Sequence, residues 1–283
     1  MNTVLVPCFK RPEMLFLCLE ALSKAEGIEG HSIRVLQDRK LNADVDERIA
    51  EVVGLFRGSL NLDFELRPAN DDFGNDRNLL EAYKEEHQKG TPYVFLVEED
   101  VIVGDDFFTW HYAVQERMHV FCSIASAHAD MPKSEDPDLC FLARNYCSLG
   151  VCFPSRSLSL LVEHATPNYY RHLREYVLEN FRPEVNAHFG GGYAQDGLIS
   201  RIIIQEGLTC AWAARPRCFH TGIYGYNRDQ QSPLRPGTWR EQAKELKERW
   251  GQPTWMTAKY ADCVPCDLGK KPMGDVRFES HVA

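Results

Sequence analysis

Residues 93–110 read YVFLVEEDVIVGDDFFTW. An apolar strand from Tyr93 to Val97 runs directly into three consecutive acids, Glu98, Glu99 and Asp100. A second apolar step, Val101 to Val103, follows, and Asp105–Asp106 then read as caps for a helix opening on FFTWHYAVQ. Three carboxylates at the end of a buried strand repel one another, and burying them without partners costs several kcal/mol. Something of opposite charge must compensate, and a divalent cation does so most simply.

Working outward, the chain before this stretch alternates strand and helix. NTVLVPCF (2–9) reads as a strand rich in β-branched residues, and RPEMLFLCLEALSKA (11–25) as a helix with Pro in its first turn. HSIRVLQD (31–38) is a strand ending on Asp38, ADVDERIAEVVGLF (43–56) a helix and LDFELRP (62–68) a strand. After the loop ANDDFGN, DRNLLEAYKEEHQK (76–89) is a helix that leads to Tyr93. The alternation predicts an α/β fold with a mostly parallel sheet flanked by helices. Such sheets bind ligands outside the carboxyl ends of their strands. Lys10, Arg11, Asp38, the 70–78 loop and Glu98–Asp100 all fall at those ends.

The second half is less regular. VFCSIASAHAD (120–130) and NYCSLGVCFP (145–154) read as strands, and a helix falls within 167–181. HFGGGYAQD (188–196) is a glycine-rich loop before the helix GLISRIIIQEG (197–207). CAWAARPRCFHTGIYG (210–225) is a strand entering a polar tail, and WREQAKELKERW (239–250) a helix. No linker divides the chain, so a single domain over 1–283 is expected. Within it, 1–104 forms the ligand-binding half, 105–225 a second half, and 226–283 a C-terminal helix and tail.

With 44% hydrophobic and 26% charged residues among 283, the composition is that of an ordinary globular protein. The net charge of −9 argues against a generic polyanion binder, although residues 201–260 hold ten Lys/Arg against five acids. MNTVLVPCF lacks the basic start of a signal peptide, and no apolar run approaches the roughly 20 residues of a membrane span. A cytoplasmic chain is expected, with its ten irregularly spaced cysteines as reduced thiols. Cys263 and Cys266, in ADCVPCD, make half of a zinc site without a second pair.

The first strand is followed by CFKRPE, not by a glycine-rich turn, which disfavours nicotinamide and flavin chemistry. Walker and G-x-S-x-G motifs are missing as well. What remains is a nucleotide-sized edge site with Asp38 at one end and the acids at the other. A hard ion held by one or two carboxylates completes its shell with water and substrate phosphates. A metal-bound nucleoside diphosphate fits that description.

At this point the sequence resembles the GT-A nucleotide-sugar glycosyltransferases, most closely the inverting N-acetylglucosaminyltransferase I type, through short matches spread over residues 3–225. VLVPCFKRPEMLFLCLEAL resembles the first strand and helix, RVLQD the second strand, and LVEEDVIVGDDFF the acidic motif. SIASAHAD and ARPRCFHTGIYG resemble two later segments. The resemblance implies a metal-dependent transfer of a sugar, hexosyl or pentosyl, from a nucleotide donor, UDP above all, to a hydroxyl. It makes Asp100 the ligand of Mn²⁺ or Mg²⁺ and gives Glu98 and Glu99 the ribose and donor sugar. Asp38 would accept from the uracil imide, and Lys10 or Arg11 would lie near the base or diphosphate. Asp196, in YAQDGLISR, matches the catalytic base, and His220 is a second metal ligand or a diphosphate contact. Glu99 departs from the Asp more common at its position, and the membrane anchor and stem of the Golgi enzymes are not in this sequence.

Each assignment has a plainer counterpart. Asp196 can cap its helix, His220 can be a hydrogen-bonded structural residue, and Asp38 can sit in a turn. Asn75, Arg77 and Asn78 resemble a donor-side loop, but they also suit the opening of a helix. Glu245 and Arg249 sit at i,i+4 spacing on an ordinary solvated helix face. Alternatively, the basic 201–249 segment meets DNA carrying a hydroxymethylated base, as soluble transferases that modify phage DNA do. Glycan and protein acceptors fit equally. The rival readings are a nucleotidyltransferase, whose glycine-rich signature loop is missing here, and a non-catalytic module that binds a nucleotide sugar.

Overall fold

The first hundred residues form strand and helix in the predicted alternation. In the computed structural model, residues 1–38, 43–67, 74–126, 139–189, 192–220 and 277–280 are described. β1 (Asn2–Cys8), α1 (Pro12–Lys24), β2 (His31–Gln37), α2 (Ala43–Phe56), β3 (Leu62–Leu66), α3 (Asn75–Gln88) and β4 (Tyr93–Leu96) follow one another. Strands β1, β2, β3 and β4 pair in parallel, in the spatial order β4-β1-β2-β3. After β4 come β5 (Val101–Val103), α4 (Phe107–Arg117), β6 (Cys122–Ile124), β7 (Leu139–Ala143), β8 (Val151–Pro154) and α5 (Ser155–Val162). The helices α6 (Pro167–Arg171), α7 (Leu173–Asn180), α8 (Pro183–Phe189) and α9 (Gln195–Gln205) lead to β9 (Cys210–Ala213), β10 (Cys218–His220) and β11 (Arg277–Ser280).

Among the described residues one sheet has nine strands, ordered β11-β7-β9-β6-β8-β4-β1-β2-β3. Five of its eight pairings are parallel, while β8, at its centre, and β7 run antiparallel to their neighbours β4, β6 and β9. The fold is therefore α/β with a mixed, mostly parallel sheet. The period of two along each strand explains why the central strands are apolar throughout: both faces are covered. Val4, Val6, Phe95, Val97, Cys152 and Ala211 face the cluster built on α1, α2 and α4. Leu5, Val94, Leu96, Phe153 and Trp212 face the opposite cluster, built on α3, α5 and α9.

The structure also differs from the sequence reading. The helix expected within 167–181 is two helices, because His172 leaves helical geometry (φ −137°, ψ 50°) between α6 and α7. Asp106 stands at the N-cap position of α4 but makes no side-chain cap. Its carboxylate instead turns inward to Arg217, 3.5 Å away and 1% exposed. The 239–250 helix, Cys263 and Cys266 lie outside the described residues.

Candidate active site

The path of the chain through the sheet opens the site. From β1 it goes outward to β2 and β3, and then returns over the sheet to β4 on the other side of β1. The chain leaves β1 into α1 on one face and reaches β4 from α3 on the other, so the strand order reverses between these two strands, and their carboxyl ends flank the place where such sheets bind ligands. Phe9 to Arg11 and Glu98 to Asp100 are the residues that leave these strands.

Arg11 is the N-cap residue of α1, yet it makes no side-chain cap. Its guanidinium spans two of the three acids, donating from Nε to Glu99 Oε1 (2.7 Å) and from Nη1 to Asp100 Oδ2 (2.8 Å). Glu99 Oε2 accepts the Phe9 main-chain N–H (3.0 Å), so this carboxylate also closes the end of β1. The two acids are 4% and 5% exposed. Charge that repels along the chain is thus compensated from the neighbouring strand.

His220 arrives by a separate route. β10 pairs antiparallel with β5, and His220 stands opposite Val101. This register brings His220 Nε2 to 3.2 Å from Asp100 Oδ2. Burial works against ionising Asp100, but the contacts from His220 and Arg11 outweigh it and hold its carboxyl at about 2. Glu98 has the opposite surroundings. Burial and then the charges of Asp100 and Asp196 push it up to about 8, against a hydrogen bond from Ser148 and the charge of Arg11. Two acids one residue apart in sequence from Glu99 are therefore driven to opposite protonation states.

Among the described residues no group of three or more His, Cys, Asp or Glu is arranged to hold an ion. Asp100 and His220 nevertheless suit a divalent cation as a carboxylate and an imidazole close enough to share it. Such an ion would take its remaining ligands from water and phosphate oxygens. It would compete with Arg11 for Asp100.

Asp196 comes to the same region from the other half. It is the second residue of α9, not the residue before the helix as the sequence suggested. Its side chain is open to solvent but walled by protein on most sides. Burial, and then the charge of Asp76, raise it to about 6. The glycine-rich loop packs tightly here. A Cβ on Gly197 would run into the Gly192 carbonyl oxygen, and buried Arg201 donates to the carbonyls of both glycines.

The remaining sequence candidates are more scattered. Asp38 keeps the end of β2 on β1 through its N–H to the Cys8 carbonyl (3.0 Å), and its charge acts on the Cys8 thiol. Lys10 is exposed. Asn75 is the first residue of α3, and the Arg77 guanidinium lies 5.3 Å from the ring centre of Tyr170 on α6. Asp76, Ser148 and Gln195 were not singled out in the sequence. Asp76 adjoins Asn75 and Arg77, and Gln195 adjoins Asp196, but their partners lie far away in the chain.

No family model and no curated protein matches the chain. Among solved structures it is similar to the 1–349 segment of S. aureus TarS, with a TM-score of 0.50 and 13% identity over 95% of this chain and 82% of that one. The same segment in complex with UDP-GlcNAc gives a TM-score of 0.51 and 11% identity, over 95% and 83%. A longer TarS structure gives 0.50 and 12%, over 95% of this chain and 50% of that one. At such identities the likeness is one of fold, and the fold is GT-A-like.

Proposed function

We propose that the chain is a glycosyltransferase that moves a sugar from a nucleoside diphosphate, UDP first among them, to an acceptor hydroxyl with inversion at the anomeric carbon. The observation that carries this reading is the meeting of Glu98, Glu99 and Asp100 with Asp196 at the switch point of a GT-A-like sheet. A protein of similar fold has been solved with UDP-GlcNAc, which supports a nucleotide-sugar donor.

In this reading Asp38 accepts from the base and Arg11 exchanges its acids for the diphosphate. Lys10 is exposed at the crevice mouth and adds a second cation. Glu98, buried beside Asp100, hydrogen-bonds a sugar hydroxyl. Glu99 holds the end of β1 and orients Arg11. Asp196 takes the proton of the acceptor hydroxyl as its oxygen bonds to the anomeric carbon and the bond to the diphosphate oxygen breaks. One base acting on one face gives inversion. A divalent ion, Mn²⁺ or Mg²⁺, bound at Asp100 and His220 would neutralise charge on the leaving diphosphate.

The acceptor hydroxyl belongs to a glycan, a protein or a hydroxymethylated DNA base. Arg201 and Arg217 are buried, which removes two charges of the basic segment from any DNA-facing surface.

Thermal stabilisation by a panel of nucleotides and sugar nucleotides, each with Mn²⁺ and with chelator, tests the reading. One sugar nucleotide should raise the midpoint with metal, Asp100→Ala should abolish the rise, and Asp196→Ala should keep it. No rise with any sugar nucleotide overturns the proposal. A rise with nucleoside triphosphates alone favours nucleotidyl transfer. Full biological activity in Asp196→Ala favours a binding module.

A further inference from the structure

The two helices that open on the crevice, α3 and α9, are tied together at their amino ends. Asp76 Oδ1 accepts the main-chain N–H of Gln195 at 2.6 Å. That N–H is one of the donors that the start of a helix leaves without an intrahelical partner. The N-cap residue of α9 is Ala194, which has no side chain to accept it. Asp76, 119 residues earlier, supplies the missing cap. Gln195 is 3% exposed, and its Nε2 donates to Asp196 Oδ1 at 2.5 Å. Ser200 Oγ holds the Asp196 carbonyl at 2.8 Å. One oxygen of Asp196 is thereby fixed, on a side chain that otherwise faces solvent.

We infer that Asp76 and Gln195 are positioning residues for the acceptor-side base. Gln195 fixes one oxygen of Asp196 so that the other meets the acceptor, and Asp76 anchors Gln195 and sets a negative charge behind the base. The role of Asp196 as base rests on the glycosyltransferase reading; the tie itself does not. A like charge at short range disfavours ionisation and makes the neighbouring carboxylate a stronger base. The rise of Asp196 toward neutral pH agrees with this. Among the described residues, Glu98 after β4, Tyr83 on α3, Tyr146 and Cys147 before β8, and Tyr169 on α6 also couple with the charge of Asp196. The cation packed beside it is Arg201 on α9, whose guanidinium is engaged by the Gly192 and Gly197 carbonyls and by Asn186.

The test is a pH titration of the intact chain by carboxyl ¹³C NMR with labelled aspartate, the Asp196 signal being assigned with Asp196→Asn. Asp76→Asn keeps an oxygen to accept the Gln195 N–H but removes the charge. Its thermal midpoint should stay near that of the wild type, while the Asp196 titration moves down by about one pH unit. Asp76→Ala should show the same move together with a lower thermal midpoint. An Asp196 titration unchanged in Asp76→Asn overturns the inference, whether or not Asp76→Ala folds. The titration needs neither donor nor acceptor, so failure of the donor panel would remove the glycosyltransferase reading and leave this result standing. Once a transfer assay exists, Asp76→Asn should leave the donor KM unchanged and move the acidic limb of kcat to lower pH.

Discussion

Glu86 and Glu98 are both glutamates set against the same sheet, and their surroundings are opposites. Glu86, 1% exposed on α3, receives Arg34 (2.6 Å), Lys89 (2.7 Å), Thr3 (2.7 Å) and Thr91 (2.6 Å) on its two oxygens. Arg34 is shared in turn with Glu65 (2.7 Å) and Glu85 (2.5 Å). Burial works against the charge of Glu86, but these donors outweigh it and hold the group at about 2. Glu98 has Ser148 as its hydrogen-bond partner and two other acids within electrostatic reach, and it sits at about 8. A buried carboxylate whose donors are all in place is a structural joint. One left among other carboxylates is poised for a ligand.

The difference is open to experiment, and the largest effect should fall on the ligand side. Asp196→Asn should reduce transfer by about 10²–10⁴-fold, measured as sugar transfer at saturating donor, while donor-induced stabilisation persists. Loss of donor binding in this variant would make Asp196 part of the donor site and blur the division. Glu86→Ala should cost about 3 kcal/mol in urea unfolding, because it removes the acceptor of Arg34 Nη1 and of two threonine hydroxyls. A cost near zero would mean that the Glu86 joint is no joint.

The pH dependence of stability should separate the two glutamates without any ligand. The folded-state pKa of Glu86 lies below its ordinary 4.5, so its contribution is full above about 4.5 and is lost as pH falls toward about 2. Glu98 is raised, so the folded state holds its proton where the unfolded chain has released it. Stability should therefore decline as pH rises from about 4.5 to about 8. Glu98→Gln should flatten that alkaline decline and leave the acid limb alone, as read from thermal midpoints across pH. The smallest effect belongs to a pair whose lysine is exposed and whose glutamate is not. Lys24, on α1 with 48% of its side chain exposed, reaches Glu20 at 2.6 Å, and Lys24→Ala should change stability by only about 0.3–0.5 kcal/mol.

What was legible in the sequence follows the same division between local and distant causes. The helix expected at 43–56 is α2 residue for residue, and the strands expected at 2–9, 31–38 and 62–68 are β1, β2 and β3 to within two residues. There, apolar period and Pro placement act within a few residues of what they control. The acids at 98–100 were legible because three carboxylates after a buried strand conflict with local expectation. In contrast, β7 is a five-residue apolar run whose strand identity depends on pairing with β9 and β11, and it was not anticipated. The start of α9 at Gln195 depends on a cap from α3, and the inward turn of Asp106 on an arginine near β10. Arg11 was expected at the base or diphosphate, yet its two carboxylate bonds follow only from the adjacency of β1 and β4.

The pairing of β5 with β10 has a consequence for how the protein matures. Asp100 and His220 are 120 residues apart in the chain, and among the described residues the two-stranded ladder that joins them is separate from the nine-stranded sheet. During synthesis β1, β2, β3 and β4 leave the ribosome long before β10, since the chain emerges from its amino end. Asp100 then has Arg11 but not yet His220 to balance it, until β10 emerges. The acidic edge gains its imidazole late, through a long-range contact of the kind that slows folding. A nascent chain halted before residue 218 would carry β1 to β4 complete and Asp100 without its imidazole.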